Sequence, residues 1–317
     1  MRAMVVGAGS IGSRHQRVLA SIGAEVALHS RRGGDDLPAA LGASEPDLVV
    51  IATETSDHLR VLLELATAGF RGSVVVEKPL LGSLEPLPAL PFRTCVVGYQ
   101  LRVHPAVLAA RRELDGERPV TLHARVGQHL AAWRPGRGLG DTASARTEAG
   151  GGVLRDLSHE LDLVLLLGGS WQRVCALGGR SGALGPDVTT DDRWAILLEL
   201  EDGTVASVHL DMLDHVGQRG LTAITAGRTV AVDLVAGTLR TGQGREPVAD
   251  GSAPSQAWDV DGDAVLAELH RAVIEQRTDD LCDLGQGLEV VRLIEAIERS
   301  ARESRWVARD EGRVTGG

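Results

Sequence analysis

The chain has 317 residues, of which 43% are hydrophobic, and its formal net charge is −10 at pH 7. This length and composition predict a globular protein with two domains, and no apolar run is long enough to cross a membrane. Because the chain is acidic and has no basic stretch interleaved with aromatic residues, we expect neither a nucleic-acid partner nor a membrane partner.

The first predicted element is a strand at residues 4–6, which is followed by glycines in GxGxxG spacing and by a helix to about residue 21. Gly7 permits a tight turn, Gly9 lets the backbone approach a pyrophosphate, and Gly12 allows the helix to pack closely on the strand. The helix N-terminus offers N–H groups and a positive dipole end to the phosphates. The pattern therefore predicts a dinucleotide site, with a glycine-rich turn that binds no ligand as the alternative.

Strand and helix patterns then alternate through the first hundred residues. A helix is predicted at 58–68, and strands are predicted at 25–28, 48–51, 73–76 and 94–97. Short apolar strands that alternate with amphipathic helices indicate a parallel sheet covered on both faces. Such sheets bind ligands beyond the carboxyl ends of their strands, which is where we expect the site.

The residues after the second predicted strand indicate which dinucleotide binds. An NAD site commonly has an acidic residue here, about 20 residues past the glycines, which binds the ribose 2′-hydroxyl. This chain has Ser30, Arg31 and Arg32 instead, and no acid before Asp35. A hydroxyl donor and a guanidinium suit a 2′-phosphate, so we expect NADP(H) to be favoured over NAD(H). The alternative is a solvated basic loop in a protein that accepts either cofactor.

Lys78 is the only lysine of the chain, and it follows the fourth predicted strand in the sequence EKP. Every other basic side chain is arginine, which does not lose its proton near neutral pH, whereas a lysine amine can be tuned to do so. We therefore interpret Lys78 as a site of amine chemistry beside the nicotinamide. The alternative is a coding bias toward arginine that left one lysine by chance. Pro79 keeps Lys78 out of a helix, and the sequence leaves the isomer of the bond between them open.

From residue 120 onward, the pattern changes to strands joined by short turns. They are predicted at 120–126, 174–177, 194–200, 205–210, 221–225 and 229–234. Short connections imply antiparallel neighbours, so we expect an open, mostly antiparallel sheet with helices on one side. Two more helices are predicted at about 265–276 and 288–304, and we expect the last one to pack back on the first domain.

The fold class predicted from these elements is α/β. It combines an N-terminal Rossmann-type, doubly wound parallel sheet with a C-terminal α+β domain that has an open, mostly antiparallel sheet. The expected domains are residues 1–100 for the dinucleotide, 101–283 for substrate and oligomerisation, and 284–317 for the last helix and the tail. Cys95, Cys175 and Cys282 are widely spaced, so we expect no zinc site, no disulfide framework and a reduced cytoplasmic protein. The first strand begins too early to leave room for a signal peptide.

A glycine-bounded helix is predicted within residues 150–169, and Asp156, His159 and Asp162 share one face of it at three-residue spacing. A histidine between two carboxylates has a fixed tautomer and an available proton, which suits general acid/base chemistry. The alternative is a helix whose polar face meets solvent. Because leucines surround the polar residues, we expect the helix to be buried and His159 to lie in a polar cavity.

Five segments together resemble, in order, the motifs of the glucose-fructose oxidoreductase and inositol dehydrogenase family (Gfo/Idh/MocA). They are VVGAGSIGSRH, VVIATETSDH, VVVEKPLL, GYQLRVHP and GGGVLRDLSHELDL, and the resemblance covers nearly the whole chain. It implies a Rossmann domain that binds NAD(P) and a C-terminal domain whose open sheet holds the substrate and often mediates oligomerisation. It also implies that Lys78 and His159 bind substrate and transfer the proton, while Glu77 orients the loop.

The chain departs from the family pattern in one respect. Many members have an aspartate four residues before the histidine, whereas Arg155 stands there in this chain and Asp156 follows it. The form DLSHE, the WRP at 133–135 and the SAR at 144–146 resemble a branch that acts in bacterial sugar and aminosugar pathways. The aromatic residues that this branch has between the last two are missing here, which leaves the substrate open.

The predicted site residues form three groups and include no metal ligands. The catalytic residues are Lys78, His159 and Asp156. The cofactor-binding residues are Gly7, Gly9, Ser10, Ile11, Gly12, Ser30, Arg31, Thr53, His58, Glu77 and Lys78. The substrate residues are Tyr99, Arg102, Arg146, Asp156 and His159. For Tyr99 and Arg102, as for the neighbouring His104, the alternative is packing in the hinge between the domains.

We interpret the protein as an NADP-dependent oxidoreductase that transfers hydride between nicotinamide and a secondary alcohol or ketone of a sugar, aminosugar or cyclitol. Carbohydrate or secondary-metabolite biosynthesis is the expected setting, and a homodimer or homotetramer is the expected assembly. His159 is the expected acid/base and Lys78 stabilises charge on the same oxygen, with Lys78 as the proton carrier left open. Two other classes stay open: a non-catalytic NADP-responsive regulator of this fold, and a glycosidase that works through transient oxidation.

Overall fold

Two β-sheets, each with its own helices, organise the chain. The computed structural model describes residues 1–31, 36–114, 116–133, 136, 138–147, 150–243 and 255–311. Each sheet belongs to one of two structural units, and each unit is assembled from two separate stretches of sequence. The first unit is Met1–Val103 with Val260–Val291, and the second is His104–Asp259 with Arg292–Gly317. The domain limits expected from the sequence stay a prediction.

The elements are numbered in chain order. The strands are β1 (Arg2–Val6), β2 (Glu25–His29), β3 (Leu48–Ile51), β4 (Ser73–Val76), β5 (Thr94–Val97), β6 (Thr121–Gly127), β7 (Trp171–Gly179), β8 (Arg193–Leu200), β9 (Val205–Asp211), β10 (Gln218–Ile224), β11 (Arg228–Asp233), β12 (Thr238–Gln243), β13 (Gln256–Ala257), β14 (Cys282–Asp283) and β15 (Val307–Ala308). The α-helices are α1 (Ser10–Ser21), α2 (Leu37–Ser44), α3 (His58–Thr67), α4 (Pro105–Glu113), α5 (Leu130–Trp133), α6 (Val153–Asp156), α7 (His159–Gly168), α8 (Gly262–Ile274) and α9 (Leu284–Glu303).

The sheet of the first unit has the strand order β14-β5-β4-β3-β1-β2. Strands β1 to β5 are parallel, and the two-residue β14 pairs antiparallel with β5 at the edge. All five parallel strands lie where the sequence predicts them. Because β2 and β3 lie on opposite sides of β1, the chain reverses its strand order there. Open α/β sheets bind ligands beyond the carboxyl ends of the strands at such a switch point.

Helices α1 and α8 share one buried hydrophobic cluster with this sheet. Val5 of β1, Leu19 of α1, and Leu266, Leu269 and Val273 of α8 all belong to it. Fully burying one such side chain contributes roughly 1.5–3 kcal/mol. The first unit therefore depends for its core on a helix that lies far along the sequence.

The sheet of the second unit has nine strands in the order β13-β12-β11-β10-β6-β9-β8-β7-β15. All neighbours are antiparallel except β6 and β9. Side chains alternate between its faces, as in β8, where Trp194, Ile196 and Leu198 are buried while Ala195 and Leu197 are exposed. Helices α4, α6 and α7 contact these strands. The predicted fold class, with a parallel sheet and a mostly antiparallel one, is confirmed.

The glycine-bounded segment forms two helices, so the prediction of one continuous helix was wrong. Helix α6 ends at Asp156 and α7 begins at His159, with a turn at Leu157 and Ser158 between them. The Ser158 hydroxyl donates to the Arg155 carbonyl at 3.0 Å. In a continuous helix that carbonyl would accept from the backbone N–H of His159, and such serine bonds compete with helical ones. Regular three-residue spacing therefore does not place Asp156 and His159 on one helix face.

The sequence reading also omitted several elements, among them α2, α4 and β12. Helix α2 is short, and Asp36 begins it by accepting from the backbone N–H of Ala39 at 3.3 Å. Helix α4 begins at Pro105 with His104 as its N-cap. None of the helices in the described ranges combines the length and the apolar character that a bilayer crossing requires.

Candidate cofactor site and candidate proton-transfer residues

The glycine-rich turn after β1 is packed so tightly that two of its positions require glycine. An ideal Cβ on Gly7 would lie 2.3 Å from the carbonyl oxygen of Ala52, and Gly7 has φ +116°. A Cβ on Gly12 would lie 1.8 Å from the carbonyl oxygen of Gly7. A Cβ on Gly9, in contrast, would meet no atom within 4 Å. The turn therefore packs against the sheet on one side and leaves the Gly9 backbone open to a ligand on the other.

The loop after β3 adds a polar group beside this turn. The Cβ position of Gly7 is 2.9 Å from the backbone nitrogen of Thr53, so the two loops touch. The Thr53 hydroxyl oxygen is buried and has no hydrogen-bond partner among the described residues. Helix α1 starts at Ser10 with Gly9 as its N-cap, which has no side chain to cap the first N–H groups. An uncapped helix N-terminus, an open glycine and an unpartnered hydroxyl fit the pyrophosphate of a dinucleotide.

Lys78 follows β4, and its loop is held by hydrogen bonds on both sides. Its backbone N–H donates to Glu77 Oε2 at 3.2 Å, and the Lys78–Pro79 peptide bond is cis. Behind it, His58 Nδ1 lies 3.1 Å from the carbonyl oxygen of Pro79 and 3.2 Å from that of Leu80. Burial lowers the pKa of His58, although the nearby carbonyls and Glu77 oppose this. A neutral His58 that donates to this loop fixes the backbone on which Lys78 is carried.

Glu77 begins a chain of buried ionisable side chains that the sequence did not predict. Glu77 Oε1 accepts from His15 Nε2 at 2.9 Å, and His15 Nδ1 lies 2.9 Å from His270 Nε2. Both histidine side chains are fully buried. This series of hydrogen-bonded side chains connects three separate elements: the loop after β4, helix α1 that follows the glycine turn, and helix α8. Glu77 therefore links the Lys78 loop to the helix that begins at the candidate phosphate site.

The charges of Glu77 and His270 are set by burial and by the neighbouring groups. Burial alone raises the pKa of Glu77, but the hydrogen bond and charge of His15, together with Lys78, outweigh it and leave this pKa below its usual value. Burial and the charge of His15 bring the pKa of His270 well below its usual value. We conclude that Glu77 is a carboxylate and His270 is neutral. Both Glu77 oxygens accept bonds inside the unit, and its assignment to the cofactor stays a prediction.

The residues after β2 carry the expected positive charge, but it is already paired. Arg31 Nη1 and Nη2 donate to the two carboxylate oxygens of Glu64 on α3, at 2.6 and 3.1 Å. This is the two-pronged geometry in which arginine also binds phosphate. Arg32 and Asp35 lie outside the described residues. Arg31 therefore stands where the sequence predicts it, with a carboxylate in the place where a 2′-phosphate was expected to bind.

Two of the predicted substrate residues of the first unit are buried. Tyr99 is 1% exposed and Arg102 is 3% exposed. Arg102 Nη1 donates to the carbonyl of Leu281 at 3.1 Å and to the side chain of Gln286 at 2.6 Å. These bonds tie the segment after β5 to residues that return late in the sequence. They favour the packing alternative for Arg102, and substrate contact by either residue stays a prediction.

In the second unit, Asp191 fixes the start of α6, the helix that precedes His159. Its Oδ2 accepts from the backbone N–H of Leu154 at 2.9 Å and from Trp194 Nε1 at 2.6 Å. Gly152 has φ +119°, and a Cβ there would lie 2.0 Å from Asp191 Oδ1. Burial raises the pKa of Asp191 although these bonds oppose it. Asp191 therefore explains why a glycine stands at position 152, and no spacing in the sequence connects the two residues.

His159 is the first residue of α7, is 4% exposed, and lies among buried residues, as the sequence predicts. Asp156, at the end of α6, is half-buried, and Arg155 donates to Glu298 of α9 at 2.6 Å. The residue that follows His159, Glu160, is also buried and accepts from Arg219 at 2.6 and 3.0 Å. The start of α7 is therefore tied to β10 by an ion pair.

His104 and Arg146 are two further candidate residues in the second unit. Burial lowers the pKa of His104 to about 4, and the charge of Arg219 adds to this effect. His104 is therefore neutral near pH 7, and its Nδ1 accepts from the backbone N–H of Ala106 at 3.2 Å, which makes it a helix cap. Arg146 is exposed and stays a predicted substrate residue. Arg134 and Pro135 of the WRP segment lie outside the described residues.

The structure thus brings the predicted cofactor residues together within the first unit, at the carboxyl ends of β1, β2, β3 and β4. Lys78 belongs to that unit, whereas His159 and Asp156 belong to the second. Sequence reasoning missed His15, His270 and Asp191, although His15 lies three residues after Gly12 on the face of α1 that packs inward. In the described residues, no group of three or more histidine, cysteine or acidic side chains could hold a metal ion.

Residues 116–240 match the family model of the GFO/IDH/MocA C-terminal domain. A search of curated protein sequences found no match. The family resemblance predicted from the motifs is confirmed over residues 116–240, the part of the chain that the family model matches.

Several solved structures share this fold over nearly the whole chain. Levoglucosan dehydrogenase in complex with NADH and levoglucosan is similar with a TM-score of 0.80 at 17% identity, covering 97% of this chain and 98% of the other. UDP-N-acetylglucosamine 3-dehydrogenase GnnA from Acidithiobacillus ferrooxidans has a TM-score of 0.73 at 24% identity, with 96% and 98% covered. GenD2 from gentamicin A biosynthesis, in complex with NAD, has a TM-score of 0.75 at 22% identity, with 97% and 96% covered. At these identities the likeness establishes the fold.

Proposed function

Because residues 116–240 belong to the GFO/IDH/MocA C-terminal domain family, we propose that this protein is a nicotinamide-dependent oxidoreductase acting on a CH–OH group of a sugar, aminosugar or cyclitol. The observation that carries the proposal is the grouping of three features at the ends of β1, β3 and β4. They are the open glycine turn, the Thr53 hydroxyl, which has no partner within the described part of the chain, and Lys78. These strands are neighbours at the switch point of a parallel sheet, where dinucleotides bind. A bound nicotinamide would supply or accept the hydride.

A carbohydrate substrate is supported by what the structural relatives are named for. One relative is a levoglucosan dehydrogenase, another is a UDP-N-acetylglucosamine 3-dehydrogenase, and GenD2 belongs to gentamicin A biosynthesis. We extend the carbohydrate class to this chain as a proposal. Its setting in carbohydrate or secondary-metabolite biosynthesis stays a prediction.

The proposed reaction needs a group that exchanges the hydroxyl proton. Oxidation of an alcohol requires removal of that proton and reduction requires its delivery. We assign this exchange to His159, which is buried at the start of α7, with Asp156 as a supporting carboxylate. We assign to Lys78 a hydrogen bond to the reacting oxygen, which stabilises the negative charge that develops there. If Lys78 carries the proton itself, the two roles are exchanged.

We also propose that NADP(H) is favoured over NAD(H). The support is that Ser30 and Arg31 follow β2, where NAD-binding sheets commonly have an acidic residue. The Arg31–Glu64 pair opposes this preference, because the guanidinium must exchange a carboxylate for the 2′-phosphate. We therefore expect a preference that is modest in size.

The proposal is tested by screening the purified protein against sugars, nucleotide-linked sugars, aminosugars and cyclitols. Each compound is offered in its alcohol and keto forms with both nicotinamide cofactors, and nicotinamide absorbance reports turnover. We expect turnover with at least one carbohydrate. Failure to bind either cofactor would overturn the proposal, and net hydrolysis without net change of the cofactor would identify the glycosidase alternative.

The open face of the second sheet leads us to propose a dimer or tetramer. This face has a shallow cavity of about 760 Å³ that includes Leu177 and Leu197. These two side chains are 72% and 49% exposed. Contiguous apolar surface of this kind is typical of interfaces in symmetric oligomers.

We expect light scattering to give the mass of an oligomer at micromolar concentration. Leu177→Glu should shift the protein toward the monomer, because it places a charge on the surface that the partner would cover. The matched control is Val235→Glu, which introduces the same side chain at a position that is 66% exposed in the turn after β11. A monomeric unmodified protein would contradict the prediction.

A further inference from the structure

Glu64 is the only acidic side chain found in contact with Arg31 among the described residues, and it lies on a different element. Arg31 follows β2 and Glu64 lies in the second turn of α3. The two carboxylate oxygens of Glu64 accept from two separate nitrogens of Arg31 at 2.6 and 3.1 Å. The Arg31 side chain is 17% exposed and that of Glu64 is 32% exposed. A pair with two parallel bonds and partial burial holds the guanidinium in one orientation.

A second arginine on α3 contributes to the same cluster. Arg60 Nη1 donates to Glu64 Oε1 at 3.1 Å, and Arg60 Nη2 lies 2.8 Å from Asp57 Oδ1. The four side chains comprise two guanidiniums and two carboxylates, so their formal charges cancel. The positive charge of Arg31 is therefore compensated inside the protein before any ligand binds.

This compensation acts differently on the two cofactors. In Rossmann sheets the end of β2 lies beside the ribose of the adenosine, whose 2′-position carries a hydroxyl in NAD and a phosphate in NADP. A 2′-phosphate would take the same two nitrogens of Arg31 that Glu64 now occupies. A 2′-hydroxyl is uncharged, so its binding does not require Arg31 to leave Glu64.

We propose that Glu64 is a cofactor-selectivity residue, which competes with the 2′-phosphate for Arg31 and so limits the preference for NADP(H). The inference rests on the proposed use of a nicotinamide dinucleotide. Glu64 lies on α3, away from the residues that follow β2. Arg60 supports this role because it holds Glu64 in place and offers the carboxylate a partner when Arg31 is drawn to a phosphate.

The test measures cofactor binding without substrate, by fluorescence or calorimetric titration of NADPH and NADH. Glu64→Gln keeps the shape of the side chain but removes its charge, so Arg31 is released. We expect this variant to bind NADPH about tenfold more tightly, the scale of one hydrogen bond to a charged group, while NADH affinity stays within about twofold. Glu64→Ala should change the ratio in the same direction and provides a second variant if the first is poorly folded.

Two further variants assign the effect to Arg31. In Arg31→Ala the preference for NADPH should fall, and in the double variant Arg31→Ala, Glu64→Gln the gain from releasing the charge should disappear. The matched control is Glu275→Gln, which makes the same change in the same unit at a side chain paired with Arg277. It should leave both affinities unchanged.

The outcomes separate this inference from the proposed function. An unchanged ratio of NADPH to NADH affinity in Glu64→Gln and Glu64→Ala, with both cofactors still bound, would overturn the inference and leave the proposed function standing. A gain that persists without Arg31 would also overturn it. If no variant and no unmodified protein binds either cofactor, both the inference and the proposed function are wrong.

Discussion

Lys78→Arg is expected to lower turnover by about 100-fold or more, the usual contribution of a positioned proton-transfer or charge-stabilising group. The substitution keeps the positive charge but replaces a compact ammonium with a wide planar fork that cannot lose its proton. The structure gives the new side chain little freedom to adapt, because the Lys78 backbone is bonded to Glu77 and the following carbonyls contact His58. The measurement is kcat on the substrate that the screen identifies.

Binding of the cofactor separates this effect from a general loss of structure. NADPH affinity should stay within a few-fold, because the phosphates are expected at the glycine turn and after β2 rather than at Lys78. The control is Arg71→Lys, the reverse exchange at an exposed position between α3 and β4, which should leave turnover unchanged. Near-normal turnover of Lys78→Arg would show that the lone lysine is a result of composition, and the chemistry would then rest on His159 alone.

His159→Asn is expected to reduce turnover by a similar factor, about 100-fold or more. Asparagine approaches the volume of histidine and still forms hydrogen bonds, but it cannot exchange a proton. His159 is 4% exposed, so solvent is not expected to replace it efficiently. The dependence of kcat on pH should also lose the limb that the histidine contributes, which a change in packing alone would not cause.

The matched control for this variant is His215→Asn, the same exchange at an exposed histidine of the second unit. It should keep normal turnover and a normal pH profile. A loss of only a few-fold in His159→Asn, with a large loss in Lys78→Arg, would instead assign the proton to Lys78.

The strands and the glycine turn could be predicted because their signals are local. Gly7 and Gly12 are required by contacts with Ala52 and with the turn itself, and those contacts follow from the strand, turn and helix that the spacing indicates. Each of the five parallel strands is a short apolar run, and such a run can be recognised within a short window of sequence. The family motifs that contain Lys78 and His159 are also local, so these two residues could be singled out from the sequence for the same reason.

The chemistry around those residues could not be predicted, because it depends on pairs that are distant in sequence. His15 and His270 are brought together only by the packing of α1 and α8. Arg31 and Glu64 can each be seen in the sequence, but no sequence pattern indicates that the carboxylate of Glu64 neutralises the charge of Arg31. At the break between α6 and α7, the Ser158 hydroxyl donates to a carbonyl that a helical N–H would otherwise bind, although leucine periodicity runs through the break.

The division of the first unit into Met1–Val103 and Val260–Val291 has a consequence for biosynthesis. A nascent chain that has emerged only to residue 259 lacks Leu266, Leu269 and Val273, so the sheet face that these side chains cover is still exposed to water. His15 also lacks its partner at that stage, because His270 has not yet emerged from the ribosome. The first unit therefore begins to fold first but completes its core late, after all of residues 104–259 have left the ribosome. During that interval its apolar surface is available to chaperones or to aggregation, as expected for a unit whose core depends on contacts of long sequence separation.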